Sequence, residues 1–170
     1  NLEFVSTLGY RVTKNSNWFY SSKLSFKSQF SNGYNYPDRD KSISQFMAPG
    51  YLFIGTGAEF TSDDKKRILY LSPLTMKSTF VLNQRLANEG AFGVTKAVKD
   101  ADGNIIEKGD KSRVELGMLI TNEINKEILE NVELFSRLSL YSDYAHNFGN
   151  VDVDWELNLN FKVNGYIKAS

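Results

Sequence analysis

The chain has 170 residues, 41% of them hydrophobic and 24% charged, and its 20 basic residues balance its 20 acidic ones. This composition is that of a single folded domain, and the zero net charge gives no electrostatic reason to expect nucleic acid as a partner. The absence of cysteine excludes disulfides, thiolate metal sites and a cysteine nucleophile. No segment approaches the roughly 18 apolar residues of a membrane helix, whereas 12 Phe and 9 Tyr favour β-structure.

Seven long segments alternate apolar and polar residues with a period of two, which predicts strands with one apolar face. Pro73 interrupts the fourth segment and predicts a bulge or weak pairing there. A short eighth strand is predicted after the turn Asn164-Gly165. The predicted strands are 2–12, 19–30, 51–61, 68–82, 113–124, 131–144 and 151–163, followed by the beginning of another at 166–170.

Segment 151–163 is the most regular, because it alternates without an error over all its 13 positions. One face is Val, Val, Trp, Leu, Leu, Phe and Val, and the other is mostly acidic and amide. An average strand has about 5–6 residues, whereas a tilted strand that crosses a bilayer needs about 9–11. The length of this segment therefore predicts a transmembrane strand.

The connections between the predicted strands alternate between short turns and long loops, and the long loops are 32–50 and 83–111. This asymmetry is typical of outer-membrane barrels. We predict an all-β fold, an antiparallel up-and-down transmembrane β-barrel. The chain would be a single barrel domain over 1–170, present as a fragment of about 7–8 strands and incomplete at both ends. Alternation alone does not say which face is inside, so a soluble lipocalin-type barrel with its apolar face inward is the alternative.

Charged residues lie within the predicted strands, on the face opposite the apolar one, and would line the lumen of a membrane barrel. Asp152, Asp154 and Glu156 share one face at a spacing of about 6.6–7 Å. Such a row is compatible with acid/base chemistry, but we expect it to pair with basic residues on neighbouring strands, such as Arg137. The charged residues are Arg11, Lys23, Lys27, Arg113, Glu115, Glu123, Glu133, Arg137, Asp152, Asp154, Glu156 and Lys162.

Aromatic residues lie near both ends of the predicted strands, as they do in proteins whose strands cross a membrane. Two belts of this kind predict contact with the two interfaces of a bilayer, and hence outer-membrane lipid as a partner. The belt near the short turns contains Tyr10, Trp18, Phe60 and Tyr70, and the belt near the long loops contains Phe30, Phe80, Tyr141 and Tyr144.

Two segments have a superficial likeness to functional sites. Residues 100–107 begin like a calcium loop, but Ile105 occupies the sixth position, where the sharp turn requires glycine. We therefore predict a hairpin with Asp102-Gly103 at its turn. His146 is the single histidine, and we interpret it as a loop residue rather than as the base of a Ser-His pair or a zinc ligand. No catalytic residue, metal or cofactor is predicted.

Several short segments also occur in the same order in a known family: 28–36, 43–51, 71–75 and 90–94, and in the C-terminal half 140–144, 150–156 and 162–167. Together they resemble the domain of unknown function 3078 family of Bacteroidota, over nearly the whole chain. Members of that family are regarded as outer-membrane β-barrels without an established activity. Members usually have further strands at both ends, so the resemblance implies part of a barrel with ten or more strands.

These observations favour an outer-membrane protein that is not an enzyme. The first functional hypothesis is an accessory or structural component of a larger envelope complex, whose long loops bind other outer-membrane proteins. The second is a small diffusion pore or transporter, in which the charged face conducts ions or solutes. A soluble lipid-binding barrel and, less favoured, a lipid hydrolase that uses His146 complete the alternatives.

Overall fold

The computed structural model describes residues 2–37, 40–145, 149–162 and 168–169. It is mostly antiparallel β-sheet, with 64% strand and almost no helix, which confirms the predicted all-β class. The helical elements described are α1 (Gln84–Asn88) and a 3₁₀ turn (Ala91–Gly93). In chain order the strands are β1 (Leu2–Arg11), β2 (Trp18–Ser28), β3 (Gly33–Tyr34), β4 (Ser42–Ser44), β5 (Gly50–Thr61), β6 (Arg67–Phe80), β7 (Val98–Lys99), β8 (Ile105–Glu107), β9 (Ser112–Leu129), β10 (Val132–Asp143), β11 (Asp152–Lys162) and β12 (Lys168–Ala169).

Eight of these strands form one sheet in the order β1-β2-β5-β6-β9-β10-β11-β12. Consecutive long strands are neighbours, which is the order of an up-and-down meander. The strands β3 and β4 form a small sheet of their own, and so do β7 and β8. Within the described residues the sheet ends at β1 and β12, and no closed barrel is detected.

The strand β9 is longer than predicted, since it runs to Leu129 and includes the predicted connection 125–128. The N–H of Asn125 donates to the carbonyl of Lys66 at 2.7 Å, so β9 continues to pair with its neighbour there. The turn to β10 follows only at Glu130 and Asn131, where Asn131 has a φ of 66°. Asparagine tolerates this left-handed conformation, which makes a tight turn possible. The predicted turn Asn164-Gly165 lies outside the described residues.

The alternation of β6 changes phase at Pro73, as predicted for a bulge. Ser72 and Thr75 are both buried, whereas Pro73 and Leu74 between them are exposed. Strict alternation would place residues 72 and 75 on opposite faces. The hydroxyl of Ser72 donates to the carbonyl of Leu74 at 3.1 Å and satisfies an acceptor at this irregular point.

Two of the predicted interface aromatics are buried, so their assignment to a lipid-facing belt is wrong. Tyr70 is 2% exposed and Tyr141 is 3% exposed. Tyr141 is four residues after Arg137 in the sequence, and β10 has no irregularity between them. The two side chains therefore lie on the same, charged face. Tyr70 shares its buried face with Ser72. The assignment considered position along the strand alone, whereas the face of the strand determines whether a side chain can meet lipid.

The chain divides into two compact units, whose boundaries fall within the long strands. Unit 1 comprises Asn1–Ser6, Lys23–Ile54 and Met76–Glu115, and unit 2 comprises Thr7–Ser22, Gly55–Thr75 and Leu116–Ser170. Unit 1 therefore contains the residues of both long loops, and unit 2 contains most of β9 and all of β10 and β11. The predicted single barrel domain stays a prediction.

Unit 1 has a small apolar core that the predicted strands did not anticipate. It consists of Ala48, Val81, Leu86, Ala87 and Val94, with Ala91 packed against it. Loop 32–50, the helix α1 and the segment after it all contribute side chains, so the two long loops fold onto common residues. The described parts of these loops therefore share a core of their own.

In unit 2, the buried Tyr141 packs against a glycine of the neighbouring strand. A Cβ on Gly117 would lie 2.9 Å from Cε2 and Cζ of the Tyr141 ring and closer still to the carbonyl oxygen of Ser142. Both distances are too short for real carbon contacts. Glycine at position 117 is therefore what allows the Tyr141 ring to lie this close to β9.

We expect Gly117→Ala to lower the free energy of unfolding by about 1–3 kcal/mol, because the new methyl group overpacks the Tyr141 ring and a backbone carbonyl. Gly9→Ala is the matched control, since a Cβ at Gly9 would meet nothing within 4 Å. Denaturant unfolding followed by tryptophan fluorescence measures both. Equal stability of the two variants would contradict the close packing of Tyr141 on Gly117.

Candidate functional site

An arginine on β10 lies between two carboxylates, one on each neighbouring strand. In the sheet register Arg137 is opposite Glu123 of β9 and opposite Glu156 of β11. Its Nε donates to Oε1 of Glu123 at 2.9 Å, and its Nη1 is 3.7 Å from Oε2 of Glu156. The predicted pairing of the acidic row with Arg137 is thus confirmed for Glu156.

Most of the other charged residues on this face are acidic, although Lys162 at the end of β11 is basic. Asp154 is opposite Ser139, and Asp152 is opposite Tyr141. In the strand pair β9–β10, Glu133 lies directly opposite another acid, Glu127. The face of β9, β10 and β11 that carries Arg137 therefore has more acidic than basic residues.

The ion pairs of Arg137 are of modest strength. All three side chains are partly exposed, at 28% for Glu123 and nearly half for Arg137 and Glu156. Exposed pairs of this kind contribute about 0–1 kcal/mol each. Arg137 also lies over the ring of Phe135, with 5.4 Å from its Cζ to the ring centroid. Together these contacts hold the guanidinium in place and balance part of the negative charge.

The other predicted charged residues lie in separate local settings. In unit 1, Nη2 of Arg113 is 2.5 Å from Oε1 of Glu115 on the same strand. Its Nη1 donates to the carbonyl oxygen of Gly93 at 3.3 Å. In unit 2, Arg11 lies 5.1 Å from the ring centroid of Phe19. Of the remaining predicted residues, Lys23 is half-buried and Lys27 and Lys162 are exposed.

The apolar face of the strands is exposed. On β1, Leu8 and Tyr10 are 73% and 74% exposed, and on β11 Trp155 is 65% exposed. By contrast, buried positions on the strands of unit 2 include hydroxyl side chains such as Ser21 and Ser72. On β2 the apolar Tyr20 is therefore far more exposed than the neighbouring Ser21, which is the reverse of the usual order in a soluble globular protein.

The remaining predicted belt aromatics have exposed or half-buried side chains. Near the short turns, Trp18 and Phe60 contact each other with ring centroids 5.4 Å apart. Tyr10, Phe30 and Tyr144 are exposed and Phe80 is half-buried.

Two pairs of polar side chains on the exposed apolar side of the strands are hydrogen-bonded to each other. The indole Nε1 of Trp155 donates to Oγ of Ser136 at 3.0 Å. The hydroxyls of Ser22 and Thr56 are 2.8 Å apart. No sequence pattern indicates these pairs, because each joins two strands whose register only the structure provides.

The long loops of unit 1 are joined by side-chain amides. Asn83 caps α1 by accepting from the N–H of Leu86 at 3.1 Å, and its Nδ2 donates to Oε1 of Gln45 at 2.7 Å. The Nε2 of Gln45 in turn donates to Oγ of Ser42 at 2.7 Å. Sequence reasoning missed this network, although an asparagine before Leu86-Ala87 is a recognised helix N-cap signal.

A tight turn in loop 32–50 is held by two residues outside that loop, one at the end of β2 and one shortly after β6. Met47 has a φ of 56°, a left-handed conformation that costs a residue other than glycine about 1–2 kcal/mol. Its N–H donates to Oγ of Ser28 at 3.0 Å, and its carbonyl accepts from the N–H of Leu82 at 2.9 Å. These two bonds hold the turn in its strained form and leave the side chain of Phe46 exposed.

The segment that resembles a calcium loop is a hairpin, as predicted. The carboxylate of Asp100 accepts from the N–H groups of Asp102 and Asn104 at 3.1 and 2.7 Å, and Gly103 has a φ of 88°. These hydrogen bonds hold the pKa of Asp100 below its usual value. Among the described residues no group of three or more metal-ligating side chains occurs. His146 lies outside them.

None of the helices that the structure describes is long and apolar enough to cross a membrane. No family model matches the chain, and no curated protein or solved structure matches it. The resemblance to the domain of unknown function 3078 family stays a prediction.

We expect a double-mutant cycle of Arg137→Met and Glu123→Gln to give a coupling energy of about 0.2–1 kcal/mol at low salt. The coupling should fall in about 1 M salt, where the Debye length is about 3 Å. Unfolding free energies of the four proteins provide the measurement.

Glu133→Gln is the control, because it removes one of two carboxylates that face each other and so removes a repulsion. The free energy of unfolding of this variant should be unchanged or slightly higher. A coupling of zero at low salt would mean that Arg137 and Glu123 are close neighbours without a stabilising interaction.

Proposed function

We propose that this chain forms part of the wall of a transmembrane β-barrel in a bacterial outer membrane, and that it is an accessory or structural component of a larger envelope complex. The observation that carries the proposal is the exposure of the apolar face of the long strands, where residues such as Tyr10 and Trp155 are mostly uncovered. The resemblance in sequence to a family of outer-membrane proteins points the same way.

The exposed face of β11 has the composition that hydrocarbon requires. That face of β11 carries no charged residue. Its side chains are those of Val153, Trp155, Leu157, Leu159 and Phe161. Exposed apolar area on this scale is rare on soluble monomers and marks a surface that something else covers. A bilayer covers such a face on every strand at once, and the 11 residues of β11 suffice to cross one with tilt.

The hydrogen bonds on this face also suit a membrane. In water an exposed indole or hydroxyl needs no protein partner, since water supplies one. In hydrocarbon an unsatisfied polar group costs several kcal/mol. The pairs Trp155–Ser136 and Ser22–Thr56 satisfy polar groups that would otherwise meet acyl chains.

An accessory role is favoured because the charged face is partly neutralised and the described parts of the long loops pack on a shared core. Arg137 lies between Glu123 and Glu156, which uses its charge internally. The core of unit 1 and the Gln45–Asn83 hydrogen bond give the loops a defined surface. An ordered surface binds a protein partner at a lower entropic cost than a flexible loop does.

A small diffusion pore is the second candidate, and the acidic surplus of the charged face favours it. Asp152 and Asp154 are opposite neutral residues in the register. In an open lumen they would attract cations, as acidic pore linings do. Planar-bilayer conductance distinguishes the two roles, because an accessory barrel with a filled lumen gives no regular channels.

We expect Leu157→Arg to destabilise the protein in lipid vesicles by about 2–4 kcal/mol, because it places a charge at the middle of a lipid-facing strand. Asn158→Arg, one residue further and on the opposite face, is the matched control and should cost little. Urea unfolding in vesicles measures both variants. If Leu157→Arg is as stable as Asn158→Arg, or if the protein is soluble without detergent, the face does not meet lipid and a soluble lipid-binding barrel is favoured.

A further inference from the structure

Unit 2 contains a pocket at the ends of its strands, close to a short turn, that the proposed function does not use. Two adjoining cavities of about 340 and 460 Å³ share Phe60 and Arg67 in their linings, and we call them together the strand-end pocket. Each volume is within the roughly 300–1,000 Å³ of ordinary ligand pockets. Phe60 is the second-last residue of β5 and Arg67 is the first of β6, so the pocket is not at the middle of the sheet.

One side of the strand-end pocket is aromatic and apolar. The rings of Trp18 and Phe60 have centroids 5.4 Å apart and are tilted by 57° relative to each other. Leu69 lines the same cavity. Trp18 is 39% exposed, so the protein covers its ring only in part. This wall can therefore cover an apolar group of a ligand.

The larger cavity has three basic and two acidic residues in its lining, and one of the acids already has partners. The Oδ1 of Asp64 accepts from the hydroxyl of Ser62 at 2.5 Å and from the backbone N–H of Lys66 at 3.1 Å. These bonds, together with the nearby ammonium group of Lys66, hold the pKa of Asp64 below its usual value. The charges of Asp64 and Lys66 therefore balance each other.

The other two basic residues of the lining, Arg67 and Lys126, form no ion pair among the described residues. The N–H of Asn125 donates to the carbonyl of Lys66 at 2.7 Å, so Arg67 and Lys126 each adjoin one of these two bonded residues on neighbouring strands. Glu127, the second acid, follows Lys126 on β9, so their two side chains leave the strand on opposite faces. The pocket thus has two cations without a balancing carboxylate in the described part of the chain.

Two unbalanced cations beside an aromatic wall suit an amphiphilic anion with a double charge. A phosphate monoester carries a charge of about −1.5 to −2 at pH 7 and matches Arg67 and Lys126 together, whereas a carboxylate balances only one of them. The guanidinium of arginine can also form two parallel hydrogen bonds to a phosphate. A neutral ligand would leave both cations unbalanced.

We propose that the strand-end pocket binds a phosphate monoester that carries an apolar chain, with Arg67 and Lys126 on the phosphate and the Trp18–Phe60 pair on the chain. The inference does not rest on the proposed membrane contact, because these four side chains are present whether lipid or water surrounds the sheet. In the proposed barrel the ends of the strands lie at the membrane interface, where lipid phosphates are. A membrane lipid and a small soluble phosphate ester both have this chemistry.

The test titrates the full chain with hexyl phosphate and follows the fluorescence of Trp18. A Trp155→Phe background makes Trp18 the single tryptophan, since the chain has two. We expect a saturable change with one ligand per chain. Methyl phosphate should bind about tenfold or more weakly, because each buried methylene is worth about fourfold. Hexyl glucoside, which has the same chain and no charge, should give no saturable change.

Two double variants test the cations at equal net charge. Arg67→Met with Lys126→Met removes both phosphate partners and should lower the affinity for hexyl phosphate about tenfold or more. Lys14→Met with Lys65→Met is the matched control, because it removes two positive charges from the short turns outside the pocket lining. This control should bind hexyl phosphate as the native chain does.

Three results would overturn the proposal. Equal affinities of the two double variants would mean that hexyl phosphate responds only to overall charge. Equal affinities for hexyl and methyl phosphate would remove the aromatic wall from the site, and saturable binding of hexyl glucoside would remove the phosphate. These comparisons concern ligand binding alone, so they have the same meaning if the protein proves to be soluble without detergent.

A competition experiment identifies the source of the ligand. Dioctanoyl phosphatidic acid is a lipid that is itself a phosphate monoester. Its displacement of hexyl phosphate from the native chain, but not from detergent micelles without protein, would support the pocket and assign it to a lipid. Saturable binding of hexyl phosphate that phosphatidic acid does not displace would support the pocket and assign it to a small soluble ester.

Discussion

The two-residue alternation of the long strands is the constraint on which the other features depend. Within a hydrogen-bonded sheet a side chain cannot change face unless the strand contains an irregularity. The apolar residues of β11 therefore stay together on one exposed face, and Arg137 stays beside Glu123 and Glu156 on the other. Among the described long strands, irregularities occur at Pro73 and between Val132 and Glu133.

The two faces carry different polar groups, and these groups are paired in different ways. On the charged face, partly exposed ion pairs contribute little energy but limit the accumulation of negative charge around Arg137. On the apolar face, the polar atoms of Trp155 and Ser136 bond to each other. This pairing is what the proposed contact of the face with lipid requires. In unit 1, the described parts of the two long loops share a small apolar core.

Sequence reasoning predicted the strands well, because alternation over ten or more residues is a strong and local signal. It also predicted the hairpin at Asp102-Gly103 and the partnership of Arg137 with Glu156. It failed for Tyr70 and Tyr141, where position along the strand was considered and the face was not. The helix α1 was missed because it has five residues and depends on an amide network between distant loops.

The central claim is that the apolar face of the sheet meets lipid, and Trp155 is placed to report on it. In a Trp18→Phe variant, Trp155 is the single tryptophan, since the chain has two. The most direct measurement is the quenching of its fluorescence in vesicles, by phospholipids brominated on their acyl chains and separately by aqueous iodide. The account predicts strong quenching by the brominated lipid and little by iodide. Strong quenching by iodide with none by the lipid would contradict it.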